Sequence, residues 1–119
     1  MSWRIAEKQA KKSTYLKHRV GAVITKGDRI LSTGYNELRY TGRFRLPTLH
    51  AEASAIKKLL DQNRLSDLVG STLYVTRFTK AGAVACSKPC HNCESLCKSV
   101  GIRTVRYIDS LGRPAEMRL

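Results

Sequence analysis

Two rhythms of apolar and polar positions alternate along this chain. Residues 3–16 follow a helical period: Trp3, Ala6 and Ala10 share one face, and Lys8, Lys11 and Lys12 fall largely off it. The rhythm then shortens. Val20–Lys26 and Arg29–Gly34 read as the arms of a hairpin, with Gly27-Asp28 as its turn. Tyr35 to Leu49 is rich in arginine and is predicted to be a long basic loop. A helical period returns over His50–Asn63, with Ala53, Ile56, Leu59 and Leu60 on one face. "STLYVTRF", residues 71–78, is rich in β-branched and aromatic residues and reads as a strand. A third helix, the second to open on candidate metal ligands, is expected to start near Cys90, just after Pro89, and to stop at Gly101. "IRTVRYID" is a further strand, "SLGR" a turn, and "PAEMRL" a short edge strand or frayed tail.

The resulting order, α-β-β-α-β-α-β, implies a layered α/β sandwich. Its sheet is mixed: an initial hairpin, then a right-handed parallel crossover from 71–78 through the third helix to 102–108. With 119 residues, 42% of them hydrophobic, residues 1–119 are expected to form a single domain. No apolar run approaches the ~20 residues of a membrane span. The N-terminal stretch "MSWRIAEKQAKKSTYLKHR" is charged throughout and has no apolar signal core, which argues for a cytoplasmic or nucleic-acid-associated protein and against secretion. In that setting the four cysteines read better as metal chemistry than as disulfides.

Charge changes the picture further. The formal net charge is +13 and it is uneven. Residues 1–49 hold eleven Lys/Arg against three Asp/Glu, residues 50–76 three against three, and residues 77–119 eight against three. The excess flanks the second apolar helix on both sides. Such a balance favours a polyanionic or phosphorylated partner over a merely solvated basic surface.

The candidate chemistry sits in two short groups. "TLHAEASAI" places His50 and Glu52 two apart at a helix start, and "SKPCHNC" places Cys90 and Cys93 three apart on one face of another. If both helices pack side by side on one sheet, three ligands converge. The two positive helix N-termini then help hold thiolates. One imidazole and two thiolates suit zinc, and three protein ligands leave a fourth position for water, as in catalytic sites. Glu52 would lie beside that water as a proton shuttle.

H-x-E followed by P-C-x-x-C is the signature of the zinc nucleobase deaminases. Through His50-Ala51-Glu52 and Pro89-Cys90-His91-Asn92-Cys93 the chain resembles the cytidine/deoxycytidylate deaminase superfamily, over roughly residues 3–108. The resemblance implies a three-layer α/β/α fold and zinc held by His50, Cys90 and Cys93. It implies that Glu52 takes a proton from the zinc-bound water, and that it protonates first the ring nitrogen and then the departing ammonia. Asn36, in "TGYN", would touch the sugar, and the Ala51 backbone N–H would meet the base. Histidine as first ligand resembles the deoxycytidylate, polynucleotide-cytosine and tRNA-adenosine branches. "SKPCHNC" is most similar to small viral and phage-type deoxycytidylate members. The implied substrate is cytosine, in a deoxynucleotide or in single-stranded nucleic acid. Members commonly assemble as dimers to hexamers, so a homo-oligomer is implied.

Three rivals remain at this point. One is an adenosine deaminase acting on tRNA or DNA. Another is a catalytically silent zinc module that binds nucleic acid, although such a site has no use for Glu52. A structural zinc would need a fourth ligand. Cys86 could reach from its loop and His91 is a candidate. Cys97, one turn beyond Cys93 and so ~6 Å along the axis, should miss. Cys86 and Cys97 otherwise read as small buried hydrophobes. His18 reads as a residue of the surface or the site's mouth. The loop before His50 interleaves Arg39, Arg43 and Arg45 with Tyr40 and Phe44, which is what a single strand would use for phosphate contacts and base stacking.

Overall fold

A computed structural model describes residues 2–13, 18–41 and 44–119, with 37–41 and 44–49 described as backbone. Helix α1 (Ser2–Lys11) is followed by strands β1 (His18–Lys26) and β2 (Arg29–Tyr35). Strands β3 (Glu37–Thr41) and β4 (Phe44–Leu49) lead into helices α2 (Ala51–Asp61) and α3 (Leu65–Leu68). Strand β5 (Thr72–Thr79), helix α4 (His91–Ser99) and strands β6 (Thr104–Ile108) and β7 (Pro114–Arg118) complete the chain.

Five strands form one mixed sheet in the order β2-β1-β5-β6-β7. The expected hairpin is present, with Lys26 opposite Arg29 and Gly27 at a φ of 62°. That is the first central position, where a type II′ turn calls for positive φ. Strand β5 pairs antiparallel with β1 and parallel with β6, so the expected crossover through α4 is also present. The C-terminal residues do pair: β7 runs antiparallel to β6 as the edge strand.

Two glycines define the layers. Gly34 lies opposite Ala22, so Gly34 and Gly21 point to opposite faces of the β1–β2 ribbon. A methyl on Gly21 would collide with the Ala6 carbonyl and the Ala10 amide of α1. A Cβ on Gly34 would lie 2.5 Å from Ala51 O and 2.7 Å from Ala55 N of α2. Helix α1 therefore covers one face and α2 the other, each seated directly on sheet backbone. Helix α4 joins α2, because Cys97 packs with Ala51, Ala55, Val75 and Val105 in the main core. The strand residues of this core, Ala22, Ile24, Leu73, Val75 and Val105, all face that layer, as their pairing requires. The architecture is a three-layer α/β/α sandwich.

Three expectations are corrected. Residues 37–49 are not a loop: β3 and β4 pair with each other as a separate two-stranded sheet, with Glu37 opposite Leu49 and Thr41 opposite Phe44. Helix α1 ends at Lys11 instead of running on to residue 16. Its end is fixed from outside, since Ser13 Oγ donates to the Asn36 carbonyl at 2.7 Å and ties the chain to the end of β2. Four-residue α3 was not anticipated.

Candidate active site

The site is assembled from the starts of two helices. His50 is the N-cap of α2, extended at φ −65° and ψ 148°, and its carbonyl accepts the first helical bond from Ser54 N at 2.9 Å. Cys90 is the N-cap of α4 in nearly the same conformation, φ −67° and ψ 165°, and its carbonyl accepts from Glu94 N at 2.9 Å. Neither cap side chain bonds its own helix. A serine or aspartate at such a position would turn back to cap the N–H groups. Imidazole and thiol instead point away, towards each other.

His50 Nδ1 lies 3.1 Å from Cys93 Sγ and 3.8 Å from Cys90 Sγ. The three donor atoms lie within 4.8 Å of one another. A tetrahedral zinc with Zn–S of ~2.3 Å and Zn–N of ~2.0–2.1 Å needs donors roughly 3.5–3.8 Å apart, so the group fits with small adjustments. Electrostatics agree. Cys93 is buried, and burial together with the Glu52 charge raises its thiol far above the usual range. A dication is what lets such a sulfur stay ionised, with its proton released on binding. Cys97 is pushed up to about 12 by burial and by Glu52, and stays a neutral core thiol. Cys86 is half-buried and stands outside the convergent group, as does exposed His91.

Glu52 follows on the first turn of α2 and is only 5% exposed. Burial raises its pKa, against the opposing pull of its own backbone N–H, the His50 charge and a contact with Cys93. A carboxyl pushed upward in this way suits a group that must both accept and return a proton. Ala51, at the first position of α2, is fully buried. An amide in that first turn has no partner inside its helix.

A cleft of about 340 Å³ opens over these groups, and His50, Ala51, Glu52 and Cys90 line it. Asn36 lines it too, but much of its amide is committed. Nδ2 donates to His18 O at 2.6 Å and Oδ1 accepts from Val20 N at 2.8 Å, clamping β1 where the main chain leaves β2. His18, which is exposed, also lines the cleft.

The loop leading to Cys90 is pinned by a residue the sequence reading passed over. Ser87 Oγ donates to Val75 O at 2.7 Å and accepts from Ile108 N at 2.8 Å, stitching the loop between β5 and β6. Two cations in the cleft, Arg77 and Lys88, were also missed. Arg77 had a signal: strand alternation puts it on the same face as Leu73 and Val75, an inward arginine at the end of an apolar strand. Of the five basic and aromatic residues expected to meet a nucleic acid, Arg43 lies outside the described residues, and so do the side chains of Arg39, Tyr40, Phe44 and Arg45.

Residues 2–109 match the family model described as "Cytidine and deoxycytidylate deaminase zinc-binding region". The deoxycytidylate deaminase of Mycobacterium phage D29 is 32% identical over 126 aligned positions, covering 87% of this chain and 88% of that protein. Among solved structures, a cytidine deaminase from Burkholderia pseudomallei superposes with a TM-score of 0.72 at 18% identity, covering 98% of this chain and 89% of the other. The apo dCMP deaminase of cyanophage S-TIM5 superposes at 0.64 with 23% identity, covering 87% and 76%. At those identities the superpositions speak for the fold.

The chain belongs to the cytidine and deoxycytidylate deaminase family. It is a zinc-dependent hydrolytic deaminase, and the silent zinc module is set aside. No helix among the described residues is long and apolar enough to cross a membrane.

Proposed function

We propose that this enzyme converts the cytosine of a free deoxynucleotide, dCMP, to uracil. The observation that carries the reading is Glu52, buried near the His50, Cys90 and Cys93 donors and lining a cleft of about 340 Å³. That volume is near the lower end of small-molecule sites, ~300–1,000 Å³, and suits one nucleotide. The phage deoxycytidylate deaminase at 32% identity supports the same substrate.

His50, Cys90 and Cys93 would hold the zinc, which when bound would make water a nucleophile near neutral pH. The residues of the chain do the rest. Glu52 accepts one proton from the attacking water and delivers it to the ring nitrogen; it then takes the second, from the hydroxyl now on the ring carbon, and passes it to the amino group, which leaves as ammonia. Ala51 N–H meets the base, and the remaining amide hydrogen of Asn36 meets the sugar. Water plus cytosine gives uracil plus ammonia, and no redox partner is needed.

The test is ammonia release from dCMP, from a deoxycytidine oligonucleotide and from an adenine-containing oligonucleotide. Turnover is expected with dCMP. Turnover confined to the adenine-containing strand would replace the reading with an adenosine deaminase.

A second reading, deamination within single-stranded nucleic acid, is favoured by the net charge of +13 and by the basic β3–β4 hairpin, which ends one residue before His50. On this reading Arg39, Arg43 and Arg45 track phosphates, and Tyr40 or Phe44 stacks on a neighbouring base. Oligonucleotide affinity measured against salt separates the two. Each phosphate contact removed in an Arg39/Arg43/Arg45→Ala variant should lower the log–log slope by ~0.7. A flat response in the parent, with efficient dCMP turnover, leaves the mononucleotide reading standing.

A further inference from the structure

The cleft carries a charge imbalance that the deamination chemistry does not use. Among the described residues that line it, Glu52 is the only acid, whereas Arg77 and Lys88 are both present. Neither cation takes part in any of the ion pairs found among the described residues. Arg77 is half-buried, and its Nε is buried with no hydrogen-bond partner. A guanidinium withdrawn from water without a carboxylate is costly. Such a group fits a place where an anion arrives from outside.

The position of Arg77 says which anion. Arg77 lies opposite Val20 in the β1–β5 ladder, and Val20 N is the donor that Asn36 Oδ1 accepts. Directly opposed residues in an antiparallel pair sit ~4.5–5.5 Å apart at Cα. Asn36 and Arg77 therefore flank Val20 from either side, in the same cleft as Glu52. A nucleotide with its base at Glu52 and its sugar at Asn36 carries its phosphate within reach of this row. Arg77 is also held in place. Its Nη2 donates to His18 Nδ1, and its Nη1 lies 3.5 Å from the Cys86 carbonyl oxygen. The backbone behind it is braced, because β5 continues into a turn closed by Ala85 N donating to Arg77 O at 2.9 Å and by the Phe78–Val84 bridge.

We propose that Arg77, assisted by Lys88, is the phosphate subsite of this enzyme and selects a free nucleotide 5′-monophosphate over the nucleoside. The inference rests on the mononucleotide reading above and extends it to named specificity residues. Arg77 supplies the directed, partly desolvated contact. Lys88 is exposed and supplies a weaker attraction at the rim.

The experiment compares kcat/KM for dCMP and for deoxycytidine in the parent, Arg77→Gln, Arg77→Lys and Lys88→Gln, with zinc content measured for each and inorganic phosphate as a competitor. A hydrogen bond to a charged group corresponds to about 10- to 100-fold, so Arg77→Gln is expected to lose that much with dCMP and little with deoxycytidine. Arg77→Lys should recover part of the loss, and Lys88→Gln should lose about threefold with dCMP only. Phosphate should compete with dCMP in the parent and lose that effect in Arg77→Gln. If the parent favours dCMP but both Gln variants keep its preference, or lose both substrates equally with zinc retained, the subsite is wrong and the mononucleotide reading survives. Equal use of deoxycytidine and dCMP by the parent overturns the subsite as well. Should Arg77→Gln lose zinc, the exposed Lys88→Gln and phosphate competition in the parent decide. A parent active only on an oligonucleotide overturns the mononucleotide reading, and this inference with it.

Discussion

Glu52 shows how much a single side chain can be asked to do. Replacing it with Gln keeps its size and hydrogen bonding but removes the proton carrier proposed above. Turnover should fall at least ~10²-fold while zinc stoichiometry stays unchanged. Near-normal ammonia release from this variant would end the assignment. A second readout follows from its burial. The folded-state pKa of Glu52 is raised, so the stability tied to its protonated form is fully present below the ordinary value of ~4.3 and is lost as pH rises through the folded value. Gln does not titrate. Metal-free Glu52→Gln should therefore gain in Tm relative to the metal-free parent as pH is raised from about 4 towards neutral. At this scale the sequence was highly legible where spacing encodes chemistry: His50, Glu52, Cys90 and Cys93 are all brought together. It was opaque for Arg77 and Ser87, whose roles depend on what lies across the sheet from them.

Elements were legible to the degree that a buried face imposes a period on them. The β1–β2 hairpin, β5, α2 and α4 all pack on the core and fall close to their predicted bounds. Helix α3 is four residues long, too short for any period to register. The β3–β4 pair stands apart from the main sheet, and its arginines and Pro47 disguised it as loop. Close contact between elements is a stricter requirement than period. Gly34 lets α2 sit on β2, and a methyl there would be 2.5 Å from Ala51 O, the residue between His50 and Glu52. Gly34→Ala must push that turn outward. We expect a loss of ~1–3 kcal/mol in unfolding free energy, together with weaker zinc retention. A variant with parental zinc affinity and parental Tm would show that the helix does not depend on that contact.

At the scale of the molecule, a metal held by His50, Cys90 and Cys93 as proposed would tie together two helices of one layer. His50 caps α2, Cys90 caps α4, and Cys93 lies in the first turn of α4. Zinc bound only by the folded chain stabilises it by about 2.7 kcal/mol at a hundredfold excess over Kd. One zinc per chain is expected. Its removal by a chelator should lower Tm, and its return should restore both Tm and turnover. A Tm indifferent to chelation would mean that the helices are held without the metal.

The distance along the chain between the ligands has a consequence for biosynthesis. His50 and Cys93 are 43 residues apart, and β5 lies between them in the chain. On the proposed ligand set, a nascent chain that has released only α1 through β5 carries one ligand, and a segment holding Cys90 and α4 alone carries two. Neither would hold zinc as the whole chain does. Metal capture must wait until α4 has left the ribosome and docked beside α2. Zinc loading should therefore mark the completion of folding, and chains stalled before Cys93 should stay metal-free whatever the supply.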